Sequence, residues 1–230
     1  VAANLALSLH GKGFKVGLLD LDVYGPSVPK IFNVSEPPQV EDEHSILPAK
    51  KYGIELMSFG FFIDDKSPVI WRGPMVMKLV EQFLTDVKWS KLDYLILDLP
   101  PGTGDVQLSL SQKIFMTGAV IVTTPQDLAL IDVSRGANMF EKMKVPVLGV
   151  IENMSFHVCS KCGNKDYVFS SGGGEKESKR LNVPFLGKLP LSRNIMSHTD
   201  SGKPTVLADP EGEESKAFLK IVETLLENLN

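Results

Sequence analysis

Two apolar segments of the sequence each end in aspartate and then enter a turn that contains glycine and proline. The first segment carries Asp20 and Asp22, and the second carries Asp98 ahead of the turn Pro-Pro-Gly-Thr-Gly at 100–104. Ligands of open parallel sheets bind beyond the carboxyl ends of the strands. A carboxylate there suits a nucleotide-bound Mg²⁺, and a glycine turn lets the backbone approach a phosphate. Aspartates that only cap helices or turns are the alternative, but two such strands together favour nucleotide binding.

A second chemical feature is the C-x-x-C pair formed by Cys159 and Cys162, which are the two cysteines of the sequence. Such a pair is typical of a zinc half-site, an iron–sulfur half-site or a redox dithiol, or it arises by coincidence. A redox dithiol normally opens a helix, whereas Gly163, Asn164 and β-rich residues follow here. Structural zinc and a [4Fe–4S] cluster usually take four ligands, so two chains around a two-fold axis would supply four thiolates. The pair therefore predicts a metal site shared across a homodimer, with zinc and iron–sulfur both open and His157 a possible third ligand for zinc.

The elements that must position these residues alternate between short apolar strands and helices, which is typical of an α/β fold. The strands are apolar throughout rather than alternating, which predicts a mostly parallel sheet with helices on both faces. The predicted strands are 15–19, 54–58, 94–97, 119–122, 147–151 and 185–189. The predicted helices are 1–9, 73–89, 106–113, 128–144 and 215–229. The stretch 36–44, with two prolines and four acids, is predicted to be an exposed loop.

Length and composition limit the classes of protein to consider. A chain of 230 residues without a break in composition predicts one domain over 1–230, in which 153–170 is a metal-binding insertion. The net charge of −4 argues against a nucleic-acid partner, which would favour a basic surface. No apolar run approaches the ~20 residues that span a bilayer, so stable membrane insertion is not expected. Two cysteines without a disulfide framework predict a soluble protein of a reducing intracellular compartment.

Six segments of the sequence resemble, in the same order, those of the Mrp/ApbC family of deviant-Walker-A P-loop ATPases that carry iron–sulfur clusters. They are 20–29, 71–75, 97–107, 123–127, 152–155 and 159–162. The resemblance covers essentially the whole chain and implies the P-loop NTPase fold. The segment Met75-Val-Met77 resembles the mitochondrial branch that serves assembly of respiratory complex I. This branch implies the mitochondrial matrix, with the cytosol as the alternative.

The amino terminus departs from the family pattern. Family members have a Gly-Lys-Gly-Gly-x-Gly-Lys-Ser/Thr loop, which this sequence lacks, and 1–9 is similar to the helix that follows that loop. The resemblance therefore implies that the first strand and the P-loop would precede Val1, unless the fold never had that loop. We expect this polypeptide to bind ATP poorly and to be impaired as an ATPase, and the complete protein to bind and hydrolyse ATP.

The resemblance implies a role for each residue near the nucleotide phosphates. Asp22 would position or activate the attacking water, and Asp20 would support Mg²⁺ nearby. Asp98 would be the Walker B acid and would hold a Mg²⁺-bound water. Gly102 and Gly104 would let the second switch loop follow the γ-phosphate.

The resemblance also implies a base site and a metal. Asn153, just past the fifth predicted strand, would hydrogen-bond the adenine edge. Pro190 and Leu191 would form the other wall of the base site. For Cys159 and Cys162, the resemblance favours a [4Fe–4S] cluster over zinc.

The implied function is an ATP-dependent carrier or scaffold that holds the cluster at a homodimer interface and transfers it to apo-proteins, including respiratory complex I. One alternative is a zinc-stapled dimeric binding module without ATPase activity. Another is a positioning ATPase of the same superfamily that works on a membrane or on DNA. The last helix disfavours this second alternative, because its two lysines and two glutamates form no basic face.

Overall fold

The computed structural model describes residues 1–229 except 24, 43–44, 63–72, 103–106, 108–109 and 111–112. The described helices are α1 Ala2–Gly11, α2 Val28–Ile31, α3 Gly73–Thr85, α4 Asp127–Lys142, α5 Gly173–Leu181, α6 Arg193–Asp200, α7 Thr205–Ala208 and α8 Glu213–Glu227. The described strands are β1 Val16–Asp20, β2 Gln39–Asp42, β3 Ser45–Leu47, β4 Ala49–Lys51, β5 Ile54–Ser58, β6 Tyr94–Asp98, β7 Ala119–Thr123, β8 Val147–Glu152, β9 His157–Val158, β10 Lys165–Asp166 and β11 Phe185–Lys188. The chain divides into two compact units, Val1–Pro101 with Ser197–Ala208 and Gly102–Met196 with Asp209–Asn230.

The first unit is built on a four-stranded sheet with the order β4-β5-β1-β6. β1 is parallel to β5 and to β6, whereas β4 is antiparallel to β5. Every residue of β1 and β5 is buried, as expected for apolar strands that are covered on both faces. α1, which is also apolar on all sides, buries every residue from Ala3 to Leu9 and packs on β1. The register aligns Asp20 with Ser58 on one side and with Asp98 on the other.

The second unit is built on a three-stranded parallel sheet with the order β11-β8-β7. α4 and α5 pack on β7 and β8, and α8 packs on β11. β8 and the chain before β11 approach closely at Gly149, where a Cβ would lie 2.7 Å from the Pro184 carbonyl oxygen. The register aligns Glu152, the last residue of β8, with Thr123 and Lys188. Polar groups thus collect at the carboxyl end of this sheet.

The α/β fold class with a mostly parallel sheet is confirmed. Each of the six predicted strands is found within one residue at either end, and the helices predicted over 1–9, 128–144 and 215–229 are found as α1, α4 and α8. The helix predicted over 73–89 ends earlier, at Thr85, because Val87 forms a bridge with Ile46. Most of the helix predicted over 106–113, the first two residues of the segment 71–75, and Gly104 lie outside the described residues.

The prediction of a loop over 36–44 is wrong over Gln39–Asp42. These four residues form β2, which pairs antiparallel with β3. All four are exposed, so no buried face imposes the apolar alternation by which a strand is recognised in a sequence. The prediction that this stretch is exposed is correct for its strand.

β6 and β7 are both apolar and partly open to solvent. Among the described strands, β6 pairs with β1 alone and β7 with β8 alone. Leu95 of β6 is 38% exposed and Val122 of β7 is 44% exposed. Within the described part of the chain, no helix is long and apolar enough to cross a bilayer.

Candidate functional site

Asp20 ends β1 as a buried carboxylate that organises the following loop. Its Oδ1 accepts a hydrogen bond from the backbone N–H of Asp22 at 3.1 Å. Its Oδ2 accepts from the N–H groups of Ser27 at 3.0 Å and Val28 at 3.2 Å, where α2 begins. The Ser58 hydroxyl donates to the same oxygen at 2.8 Å. With four donors on its two oxygens, Asp20 holds the loop in place.

Ser58 is a site residue that the sequence reasoning missed. Its hydroxyl is buried at the carboxyl end of β5, where it donates to Asp20 and accepts from the N–H of Gly60 at 3.0 Å. The second bond caps the 3₁₀-helix Phe59–Phe61. A polar residue at the end of an apolar strand was the available signal, but its partner lies 38 residues away in the chain.

Asp22 and Asp98 remain half-buried beside this anchor. Asp22 Oδ1 accepts from the N–H of Gly25 at 3.2 Å. Burial raises the pKa of Asp98, and the charges of Asp20 and Asp22 raise it further. The three predicted carboxylates therefore lie close enough for their charges to repel, although they are not grouped tightly enough to hold a metal ion as a set of three.

Gly102 is exposed and has a φ of +93°, in the left-handed region that favours glycine. Its carbonyl oxygen accepts from the side-chain amide of Gln107 at 3.1 Å. The backbone at this turn thus has the freedom that a phosphate-following loop requires. Gly104, the other predicted glycine, is not among the described residues.

The three residues predicted to bind the base come together in the second unit. The N–H of Leu189 donates to the carbonyl of Glu152 at 2.9 Å, so the chains that leave β8 and β11 run side by side. Asn153 directly follows Glu152, and Pro190 and Leu191 follow Leu189. All three side chains are partly exposed, at the carboxyl edge of the parallel sheet where ligands bind.

Glu152 was not singled out from the sequence, yet it anchors this edge. Its side chain is fully buried, and its carboxylate accepts from the Ser155 hydroxyl and from the N–H of Gly174 at 2.7 Å. The N–H of Ser155 in turn donates to the carbonyl of Leu189 at 2.9 Å. Glu152 thus joins the loop after β8 to the start of α5. A glutamate at the end of an apolar strand was the signal that could have identified it.

Cys159 and Cys162 lie on the loop of the hairpin formed by β9 and β10. The N–H of Cys159 donates to the carbonyl of Asn164 at 2.9 Å, and the N–H of Gly163 donates to the carbonyl of Cys159 at 2.8 Å. Hydrogen bonds from the backbone N–H groups of Lys161 and Cys162, and then from the Cys162 thiol, lower the pKa of Cys159. Cys159 is half-buried and Cys162 is exposed. A thiol with a lowered pKa and solvent access is suited to bind a metal as thiolate.

The alternative in which His157 completes a zinc site is not supported. Among the described residues, no three histidine, cysteine or acidic side chains are grouped to hold a metal ion. The His157 ring instead lies with its Nδ1 3.0 Å from the carbonyl oxygen of Leu191. Since a carbonyl only accepts, Nδ1 carries the proton and donates. The cysteine pair thus stands as a two-ligand site within the described part of the chain.

Parallel sheets with carboxylates at the strand ends define an α/β protein, and the family model places it in the P-loop NTPase class. Its solved counterparts include a nucleotide-binding protein from Archaeoglobus fulgidus, in complex with ADP and with cobalt found, which is 32% identical. That comparison covers 94% of this chain and 84% of the other, with a TM-score of 0.79. The chain belongs to the ParA family, whose model, described as NUBPL iron-transfer P-loop NTPase, matches residues 1–226. The resemblance stated from the six sequence segments is confirmed.

Two relatives extend the comparison to bacteria and plants. The iron-sulfur cluster carrier protein of Haemophilus influenzae is 49% identical over 97% of this chain, which spans 60% of that relative's length. The iron-sulfur protein required for NADH dehydrogenase, mitochondrial, of Arabidopsis thaliana is 42% identical over 99% of this chain and 73% of its own length. The chain therefore corresponds to a large part, but not the whole, of each relative.

Proposed function

We propose that this protein is an ATP-dependent iron–sulfur cluster carrier that holds a [4Fe–4S] cluster and passes it to apo-proteins. The observation that carries the proposal is the pair of the half-buried Cys159 and the exposed Cys162, in which the pKa of Cys159 is lowered, in a member of an iron-transfer family. The name of the Arabidopsis relative supports respiratory complex I as a target and the mitochondrial matrix as the compartment. The bacterial carrier supports the cytosol as the alternative.

The cluster is cargo, and its binding calls for two copies of the chain. A [4Fe–4S] cluster usually takes four thiolates, and each chain offers two. A two-fold axis beside the hairpin would present Cys159 and Cys162 twice, because a symmetric interface repeats the same patch on both partners. We therefore propose a homodimer through the C-x-x-C region, within the segment 153–170. The lowered pKa of Cys159 favours the thiolate form that iron binds.

The acidic cluster of the first unit is assigned to Mg²⁺ and the phosphates of ATP. Asp98 would hold the ion, which supplies positive charge to the phosphates, and its fit is supported by the negative charge already gathered at Asp98. Asp22, held by the N–H of Gly25, would orient the attacking water. Asp20 would act indirectly on the ion, because its hydrogen bonds fix the loop that carries Asp22.

The second unit carries the other residues that the family resemblance assigns to nucleotide binding. Gly102 and Gly104 would let the backbone follow the γ-phosphate, in keeping with the positive φ of Gly102. Asn153 would bind the adenine edge, and Pro190 and Leu191 would form the opposite wall. Slow hydrolysis of ATP would then regulate cluster transfer rather than serve metabolism.

Anaerobic reconstitution of the full-length protein with iron and sulfide tests this proposal. The expected product is a brown dimer that contains about four irons and four sulfides per two chains, and that transfers them to an apo iron–sulfur protein. The variant C159A/C162A should lose iron and transfer while its affinity for ATP equals that of the metal-free parent. A colourless dimer that retains zinc would instead support a zinc-stapled binding module, and iron that survives the double substitution would contradict the assigned ligands.

A further inference from the structure

The chains that leave β8 and β11 stay hydrogen-bonded to each other beyond the sheet, and the last of these bonds reach the cysteine hairpin. The N–H of Leu191 donates to the carbonyl of Phe156 at 2.7 Å. The carbonyl of Leu191 accepts from Nδ1 of His157 at 3.0 Å. Both main-chain groups of one wall residue of the proposed base site are therefore held by two consecutive residues at the start of the hairpin. We call this pair of bonds the Leu191 clasp.

The clasp lies close to the thiols along the chain. His157 is the first residue of the two-residue strand β9, and Cys159 directly follows the end of this strand. The hairpin itself is short, with the two residue pairs His157–Asp166 and Val158–Lys165. Because so short a hairpin has few hydrogen bonds of its own, its position depends on the contacts that join it to the rest of the unit.

Two aromatic contacts at the base of the hairpin involve Phe156, the residue before His157. The Phe156 ring lies 6.5 Å from the Tyr167 ring, and the ammonium of Lys165 lies 4.8 Å above the Phe156 ring. These contacts hold the two arms of the hairpin together. The contact of His157 with Leu191, in contrast, joins the hairpin to the wall after β11 by a side chain.

We propose that His157 is a positioning residue that couples the base site to the cysteine pair through the Leu191 clasp. The inference rests on the proposed function, since it assumes a nucleotide base against Pro190 and Leu191 and a metal at the thiols. A nucleotide base that packs on Leu191 would fix the position of the Leu191 carbonyl. Because this carbonyl accepts the hydrogen bond from His157, it fixes in turn the position of the His157 ring and of β9. Nucleotide binding thereby changes how Cys159 and Cys162 hold a metal, and the effect is reciprocal.

The test is a titration of the full-length protein with Co²⁺ alone, followed by thiolate-to-cobalt absorption, in the presence and absence of Mg-ADP. The coupling is the ratio of the two Co²⁺ dissociation constants, which we expect to lie within the ~5–150-fold range of typical couplings. H157L removes the donor, so its ratio should fall to within about two-fold of one. H157N keeps an N–H at the position of Nδ1 and should retain the parent ratio.

H157Q is the matched control, because its amide lies one bond further along the side chain and should not restore the ratio. Equal ratios in H157N and H157Q, or a parent ratio in H157L, would overturn the inference. Melting temperatures measured alongside identify a variant that is only destabilised, and the comparison of H157N with H157Q decides if H157L does not fold. Failure of the proposed function is distinguishable: the parent protein itself then binds no Co²⁺ through the thiols or no Mg-ADP, which overturns both proposals.

Discussion

Asp20 and Glu152 are the last residues of β1 and β8, and both carboxylates are buried, at 1% and 0% exposure. Each accepts hydrogen bonds that hold the loop after its strand. Their lateral neighbours differ. Asp20 lies in register with Asp98, another carboxylate, whereas Glu152 lies in register with Thr123 and the cationic Lys188.

This difference in neighbours makes the end of β1 a site of concentrated negative charge, whereas the end of β8 is a structural anchor. At the end of β1 the charges of Asp20 and Asp22 raise the pKa of Asp98 further after burial has raised it, so a cation would relieve the repulsion. At the end of β8 the register partners of Glu152 are the uncharged Thr123 and the cationic Lys188, so no row of adjacent carboxylates forms there among the described strands. Similar buried anchors therefore hold the proposed metal–phosphate residues in one unit and the proposed base wall with the thiol hairpin in the other.

The largest expected effect comes from removing an anchor. D20A leaves the N–H groups of Ser27 and Val28 and the Ser58 hydroxyl without their acceptor, and orphaned buried donors cost about 1–3 kcal/mol each. We expect the free energy of unfolding to fall by about 3–5 kcal/mol for D20A and, with two donors involved, by about 2–4 kcal/mol for E152A. Urea denaturation measures both. A loss below about 1 kcal/mol in either variant would show that its carboxylate is not an anchor.

A smaller loss is expected from S58A. The substitution removes one of the four donors to Asp20 and the acceptor of the Gly60 N–H, which should lower the free energy of unfolding by about 1–2 kcal/mol. The exposed Ser171 provides the control, since S171A should change it by less than about 0.5 kcal/mol. Equal values for the two variants in the same denaturation experiment would argue against a role for Ser58.

D98N should act in the opposite direction. The pKa of Asp98 is raised in the folded chain, so the ionised carboxylate destabilises the fold. This loss of stability is complete at a pH above the pKa of the folded state and absent at a pH below the pKa of the unfolded state. The amide removes it, so the melting temperature should rise by about 2 °C at neutral pH, with the gain vanishing at acid pH. Thermal melts across this pH range measure the effect. The exposed D132N should show no such gain, and a pH-independent gain in D98N would contradict the assigned cause.

The smallest expected effect on folding belongs to the thiols. Cys162 is exposed and Cys159 is half-buried, so C159A/C162A should change the free energy of unfolding by less than about 0.5 kcal/mol. The same variant should lose its iron. Denaturation of the metal-free chain and iron analysis after reconstitution measure the two effects, and a large loss of stability without metal would indicate a structural role for the pair.

The buried strands could be predicted because their surroundings impose a pattern on the sequence. β1, β5, β6, β7, β8 and β11 are short apolar runs, and they are found within one residue of the expected ends. β2 could not be predicted in this way, since all its residues are exposed. β9 and β10 are too short for any periodicity to appear.

The candidate site was predictable only in part for a related reason. Asp20, Asp22 and Asp98 stand at recognisable strand ends, and Cys159 and Cys162 have a recognisable spacing. The partners of Asp20 and Glu152 are defined by pairing between distant segments, such as the 38 residues that separate Asp20 from Ser58. Sequence spacing carries no record of such contacts. The ring of His157 likewise finds Leu191 through the fold, 34 residues away.

The open edges of β6 and β7 have a practical consequence for handling this chain. Leu95 and Val122 belong to apolar strands with a single hydrogen-bonded neighbour among the described strands. Unpaired backbone groups on an apolar edge act as a template for strands of other molecules. Residues 1–230 prepared without any neighbouring segment should therefore tend to self-associate by edge-to-edge pairing at high concentration, a process distinct from dimer formation at the thiols and unaffected by chelators.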